Sequence, residues 1–182
     1  MSDVSERYRK VATQFTDRVR AVPADAWDNA SPCEGWTARD VVDHVVTSTG
    51  FFLGRAGIEL PAGPPAGDDP AAAWERARGA MQSALDSPDV ASAEYETPMG
   101  RATLEQTVGQ FGVGDVLVHT WDLARATGQD ETLDADEVRR LYAVMEPNDE
   151  MMRQGTAFGP RVPVPPDADE QTQLIAFTGR RP

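Results

Sequence analysis

Apolar residues recur at spacings of three and four from the amino terminus: Val4, Tyr8, Val11, Phe15, Val19 and Val22 line one stripe of a helix that Pro23 closes. Residues 24–35 are rich in turn formers, with Pro32 and Gly35 the strongest punctuation, and read as a loop. Thr37 with Asp40 three residues on resembles a capping box, and it opens a second periodic run. Val41, Val42, Val45, Val46, Phe52 and Leu53 give that helix its apolar side. Residues 54–69, around LPAGPPAGDDP, hold too much Pro and Gly for an element. Asp69 and Pro70 then suit the N-cap and first position of a third helix, carried to about Leu85 by Trp74, Ala77 and Met81.

Between 87 and 103 the pattern predicts a short turn at Pro98-Met99-Gly100 with extended flanks, and no sheet. Leu104, Val108, Phe111, Val118 and Leu123 support a long fourth helix over 104–126. It runs through Gly109, Gly112 and Gly114, each costing ~1 kcal/mol against Ala, which points to close packing on a neighbour. Gly128 stops it. Asp134 caps a shorter helix over 135–145 with Val138, Leu141, Tyr142 and Met145 facing inward, and Pro147 ends or breaks it. The remainder reads as extended through its prolines, then helical over 170–178 with Leu174, Ile175 and Phe177 to bury and Gly179 as a stop. Met145, Met151 and Met152 read as core or loop packing. Four long helices with few strands make a mainly all-α, antiparallel four-helix bundle the economical architecture. We expect one domain over residues 1–182, with a bundle core of about 3–145, a short additional helix and a tail over 146–182.

Charge narrows the partners. Among 182 residues 30 are acidic and 17 basic, a net −13, which argues against nucleic acid and against an anionic membrane surface, since both demand a basic face. The lone Cys33 makes neither an intrachain disulfide nor a multi-cysteine zinc site. No apolar run has the ~18 residues of a membrane span, and the first residues lack the apolar core of a signal peptide, so a cytoplasmic location is expected. Symmetric pairs are common enough that a homodimer is the default expectation.

Both histidines fall in predicted helices, His44 in the second and His119 in the fourth. Asp115, His119 and Asp122 stand at i, i+4 and i+7 and project from one side of the fourth helix, the side that carries Leu104, Val108 and Phe111. Asp115 and His119 suit chelation of one ion, and His44 from a facing helix would complete two imidazoles and a carboxylate, the donor set of many zinc sites with an open position. Polar core or surface residues are the competing reading, because a D-x-x-x-H spacing also arises by chance. Asp122 is placed to accept the other ring proton of His119, or else faces solvent or pairs with Arg125 or Arg18. Trp36 and Trp121 are candidates to wall a pocket, against a plain packing role. Cys33 reads as structural, since no cation lies beside it and Glu34 opposes a thiolate. Asp40 and Asp43, which flank His44, read as a capping group and a surface group.

The stretches SPCEGWTARDVVDHVV (31–46) and GDVLVHTWDLARATG (114–128), with FGPRVPVP and LIAFTGRRP near the end, resemble the mycothiol-dependent maleylpyruvate isomerase-like proteins of the DinB-like superfamily. The resemblance covers most of the chain. It implies a DinB/YfiT-like four-helix bundle that holds a divalent metal, usually zinc (Zn2+), with nickel (Ni2+) or another ion as alternatives. The implied ligands are His44, Asp115 and His119. Asp115 is the shorter carboxylate where relatives also use glutamate. The characterised isomerases carry a further C-terminal domain that helps form the thiol and substrate site; here only a short tail follows the bundle. The expected function is therefore a metal-dependent thiol transferase or isomerase acting on a small electrophile, with a low-molecular-weight thiol such as mycothiol as cosubstrate. Two alternatives stand beside it: a non-catalytic metal- or ligand-binding bundle in a regulatory or protective role, and a hydrolase using metal-bound hydroxide.

Overall fold

A computed structural model of the chain describes residues 2–97, 100–153 and 158–182, without the side chain of Met151. It is mainly helical and divides into two compact units, Met1–Glu131 and Thr132–Pro182. Helix 135–145, which the pattern assigned to the bundle, groups with the C-terminal segment. Among the described residues no helix is long and apolar enough to cross a membrane.

The first unit is built on α1 (Asp3–Ala21), α2 (Ala38–Arg55), α3 (Pro70–Asp86) and α6 (Val113–Thr127), with a short α4 (Pro88–Ala91) and α5 (Leu104–Thr107) between the last two. Each of the first three has a side-chain cap, the second and third at the residues the sequence places there. The Ser2 hydroxyl accepts from the Ser5 amide, Thr37 and Asp40 form a full capping box, and Asp69 caps a helix with Pro70 at its first position. The α1 stripe, Tyr8, Val11, Phe15 and Val19, is buried, and each such side chain contributes roughly 1.5–3 kcal/mol on leaving water.

Contacts give the helix directions. Ser5 and Arg9 reach Asp86, while Thr16 accepts from Trp74 Nε1 at 2.8 Å, so α1 and α3 are antiparallel. His44 meets Asp115 in the first turn of α6, and Phe52 lies against Gly112 just before that helix begins, so α2 and α6 are antiparallel too. At the two ends of α1, Val4 lies against Gly109 and Arg18 pairs with Asp130, so α1 and α6 run the same way. It follows that α2 and α3 are parallel. The antiparallel expectation thus holds for two seams, and residues 56–69 are a crossover that returns along the bundle, as in folds with one long connection. Arg76 pins that crossover by donating to the carbonyls of Pro61 at 2.6 Å and Pro64 at 3.3 Å.

The segment after α4 differs from expectation. Glu94–Thr97 (β1) and Gly100–Thr103 (β2) pair antiparallel, Glu94 opposite Thr103 and Thr97 opposite Gly100, where no sheet was predicted. Strands of four residues show too little alternation to read, and so small a hairpin depends on its surroundings. Tyr95 donates to Thr107 Oγ1 at 2.6 Å and Arg55 to the Glu96 carbonyl at 2.8 Å. The turn expected at Pro98-Met99 lies outside the described residues.

The predicted fourth helix is helical throughout but not uniform. Between α5 and α6, Val108–Gly112 is π-helical, with the Val113 amide donating to the Val108 carbonyl. One extra residue in a turn rotates the register by roughly 100°. Phe111 is accordingly turned out, 41% exposed, rather than sharing the buried side of Leu104 and Val108. Gly109 does mark close packing on a neighbour, since a Cβ there would stand 2.9 Å from Val4 Cγ2 of α1; a Cβ on Gly112 would meet Val108 Cγ1 of its own helical run at 3.2 Å and Phe52 Cε2 of α2 at an ordinary 3.5 Å.

In the second unit α7 (Ala135–Met145) packs with α9 (Glu170–Phe177), and α8 (Asp149–Met152) follows a 3-10 turn at Pro147. Val138 and Met145 are buried, whereas Leu141 and Tyr142 are half-buried. Leu174, Ile175 and Phe177 are fully buried. Gly179 is required as glycine: its φ is +88°, and a Cβ there would lie 2.9 Å from Gly159 Cα.

Candidate metal centre

The antiparallel seam of α2 and α6 brings together three of the side chains singled out above. His44 Nε2 lies 3.2 Å from Asp115 Oδ1, and His119 Nε2 lies 3.5 Å from the same oxygen. The two imidazole centroids are 4.6 Å apart. For a tetrahedral ion with bonds of about 2.1 Å, ligand atoms sit about 3.4 Å from one another, so the spacing of these donors fits a zinc-sized ion. Side-chain exposure falls inward across the seam, from 34% at His44 and 25% at Asp115 to 8% at His119 and 0% at Asp122. The open side is therefore at His44, where Ser48 Oγ lies 3.3 Å from Nε2.

His119 is held at its second nitrogen. Nδ1 is 2.8 Å from Asp122 Oδ2, a carboxylate with no exposed surface, which fixes the ring orientation and leaves Nε2 towards Asp115. Burial lowers the His119 pKa, but the surrounding Asp115, Asp122 and Cys33 outweigh it and hold the imidazole well above its ordinary value. Burial likewise raises Asp115, and hydrogen bonds from His119 and His44 reverse this, keeping its carboxyl well below the usual range. Without an ion the cluster satisfies itself by sharing protons.

The loop before α2 covers this seam. Its backbone is satisfied: Trp27 and Asn29 carbonyls accept the first two amides of α2, at 3.0 and 2.9 Å, and Asn29 Nδ2 donates to the Ala126 carbonyl at 3.1 Å. Cys33–Trp36 closes as a turn, the Trp36 amide donating to the Cys33 carbonyl at 3.0 Å, and Gly35 supplies the required φ of +77°. That turn sets the Trp36 ring against both imidazoles, with centroids 4.9 Å from His44 and 5.9 Å from His119.

Trp121 is placed differently: it is buried, with the Arg125 guanidinium 4.6 Å over its ring. Asp40 caps α2 and Asp43 is exposed. Arg125 pairs with Glu131, and Arg18 with Asp130. Sequence reasoning missed the place of Cys33, whose Sγ lies 3.4 Å from Asp122 Oδ2 and which with His119 and Asp122 forms a second three-donor group. The turn formers beside Trp36 were the available signal. They show a tight turn but not which helix it covers.

A family model, the mycothiol maleylpyruvate isomerase N-terminal domain, matches residues 8–124. The chain belongs to this family. The matched span contains Cys33, Trp36, His44, Asp115, His119 and Asp122, so the seam lies within the family domain. Among curated proteins the chain is similar to Uncharacterized protein Rv0738 of Mycobacterium tuberculosis, 33% identical over 178 residues, 95% of each chain. Uncharacterized protein MT0763 of a second strain of that species matches to the same extent, 33% over 95% of each chain. No solved structure matches the chain significantly.

Proposed function

We propose that this protein is a divalent-metal-dependent transferase or isomerase that uses a low-molecular-weight thiol of the mycothiol type on a small electrophilic molecule. The observation that carries the metal reading is the convergence of His44 Nε2 and His119 Nε2 on one oxygen of Asp115, at distances an ion would bridge. Family membership supports the thiol and the reaction class. His44, Asp115 and His119 would hold the ion, with zinc the preferred occupant of two imidazoles and a carboxylate. When bound, a divalent ion lowers the pKa of a thiol or water at its open position.

The chain's own residues then divide the work. Asp115 offsets part of the ion's charge, and His119, held through Nδ1 by Asp122, presents Nε2 without rotational freedom. Trp36 covers the imidazole faces and keeps water from that side. The His44 edge, the most exposed part of the cluster, is the way in for thiol and substrate, and Ser48 stands beside it as a hydroxyl partner.

Elemental analysis of protein purified without a metal-affinity tag tests this reading, with wild type compared to His44→Ala and His119→Ala. Near-stoichiometric metal in wild type, lost in both variants, is expected, followed by thiol-dependent consumption of an electrophile. Metal-free wild type that also fails to bind added zinc overturns it. Tight metal binding with no engagement of any thiol would favour a regulatory or protective metal-binding bundle instead.

A further inference from the structure

Cys33 has no part in the reading above, yet the fold brings it to the deepest group of the site. We propose that Cys33 is a positioning residue: its thiol, donating to Asp122 Oδ2, fixes the carboxylate that grips His119, and so aims His119 Nε2 at the place shared with His44 and Asp115. This inference rests on the metal reading of that place.

Three observations carry it. Asp122 is fully buried, and a buried carboxylate is costly unless donors surround it; His119 Nδ1 approaches its Oδ2 at 2.8 Å and Cys33 Sγ at 3.4 Å. The thiol arrives on a fixed backbone. The Cys33 amide donates to Ser31 Oγ at 3.2 Å, its carbonyl takes the Trp36 amide at 3.0 Å, and the Ser31 amide donates to the Trp36 carbonyl at 2.8 Å. Finally, one turn acts on His119 twice, through Trp36 stacked on the ring at an interplanar angle of 24° and through Cys33 on the carboxylate behind it.

The rival reading makes Cys33, Asp122 and His119 Nδ1 ligands of an ion themselves. Their spacing disfavours it: 2.8 Å between Nδ1 and Oδ2 is a direct hydrogen-bond length, shorter than the separation of about 3.4 Å that two ligands of one tetrahedral ion adopt.

Cobalt titration of wild type, Cys33→Val, Cys33→Ser and Asp122→Asn tests the proposal, together with the proton signal of His119 Nδ1–H in metal-free protein. Removing a direct partner of a ligand weakens metal binding about 10–100-fold, so Asp122→Asn sets the scale and Cys33→Val, one bond further out, is expected to cost about 3–10-fold. Cys33→Ser, which keeps a donor, should bind within about 2-fold of wild type. The Nδ1–H signal should exchange faster in Cys33→Val and be restored in Cys33→Ser. Unchanged affinity and an unchanged Nδ1–H signal in Cys33→Val would overturn the proposal. So would a sulfur-to-cobalt charge-transfer band in wild type that Cys33→Ser removes, since the thiol would then be a ligand. Cys33→Ala serves as a second variant should valine disturb folding. Failure of wild type to bind cobalt overturns the metal reading, while the Nδ1–H signal still decides whether Cys33 positions His119.

Discussion

The bundle has two antiparallel seams, and they are built for opposite ends. Where α1 meets α3, Phe15 and Trp74 pack edge to face with centroids 4.8 Å apart, and the buried indole nitrogen is satisfied by the Thr16 hydroxyl. Its ion pairs, Arg9 with Asp86 and Arg20 with Glu75, stay at the solvent margin. Where α2 meets α6, four titratable side chains run from the partly exposed His44 to the fully buried Asp122 and pair with one another. Replacing such a cluster with apolar groups commonly leaves a fold as stable or more so, whereas losing a packed aromatic does not. One seam is a packed apolar contact; the other holds paired polar groups whose contribution to stability depends on pH.

That contrast can be broken in order of effect. Trp74→Ala should destabilise the protein by about 3–5 kcal/mol in denaturant titrations, to the same extent with and without metal. Comparable loss only in the presence of metal would erase the distinction between the seams. Asp122→Asn should act the other way, weakening metal binding about 10–100-fold in competition titrations while the metal-free protein keeps its fold.

Acidity sharpens the same comparison. Asp115 is depressed, so its contribution to metal-free stability is complete above its ordinary value of 3.8 and is lost as pH falls. His119 is raised, so its contribution is complete below 6.5 and is lost as pH climbs through the raised value. The chelated protein should therefore gain most from this seam between these limits. Metal affinity should instead strengthen on the alkaline side, by up to about tenfold per pH unit for each proton the ligands release. Thermal melts of the chelated protein from pH 3 to 9, and of the loaded protein from pH 5 to 9, check these slopes. The smallest effect expected is Thr37→Ala, which removes the α2 cap at a cost of about 1 kcal/mol in the same melts.

What the chain reveals without coordinates follows from how local each determinant is. Caps such as Thr37 with Asp40, the glycine stop at Gly128 and the apolar stripes of α1 to α3 are set by neighbours a few residues away, and they stand where the sequence places them. The i, i+4 relation of Asp115 and His119 is equally local. The hairpin was hidden because four-residue strands carry almost no period, and Phe111 was misassigned because the π-helical turn shifts the phase after Val108. Gly109 and Gly112 lie within that turn, and Gly109 marks close packing on α1 without revealing the change of register. Cys33 escaped notice because its partner is 89 residues away, across a loop whose docking no local rule specifies.

The crossover over residues 56–69 bears on how the protein comes to be folded. His44 and Asp115 are 71 residues apart, and the intervening chain must travel the length of the bundle before α6 can lie beside α2. Bringing together contacts so distant in sequence carries a loop-closure cost that the packing of α6 against its neighbours has to offset. A nascent chain holding only α1, α2 and α3 contains a single member, His44, of the proposed ligand set. On the proposed reading, metal loading would be tied to completion of the bundle, and an ion bound at this seam would report that the last long helix of the first unit has docked.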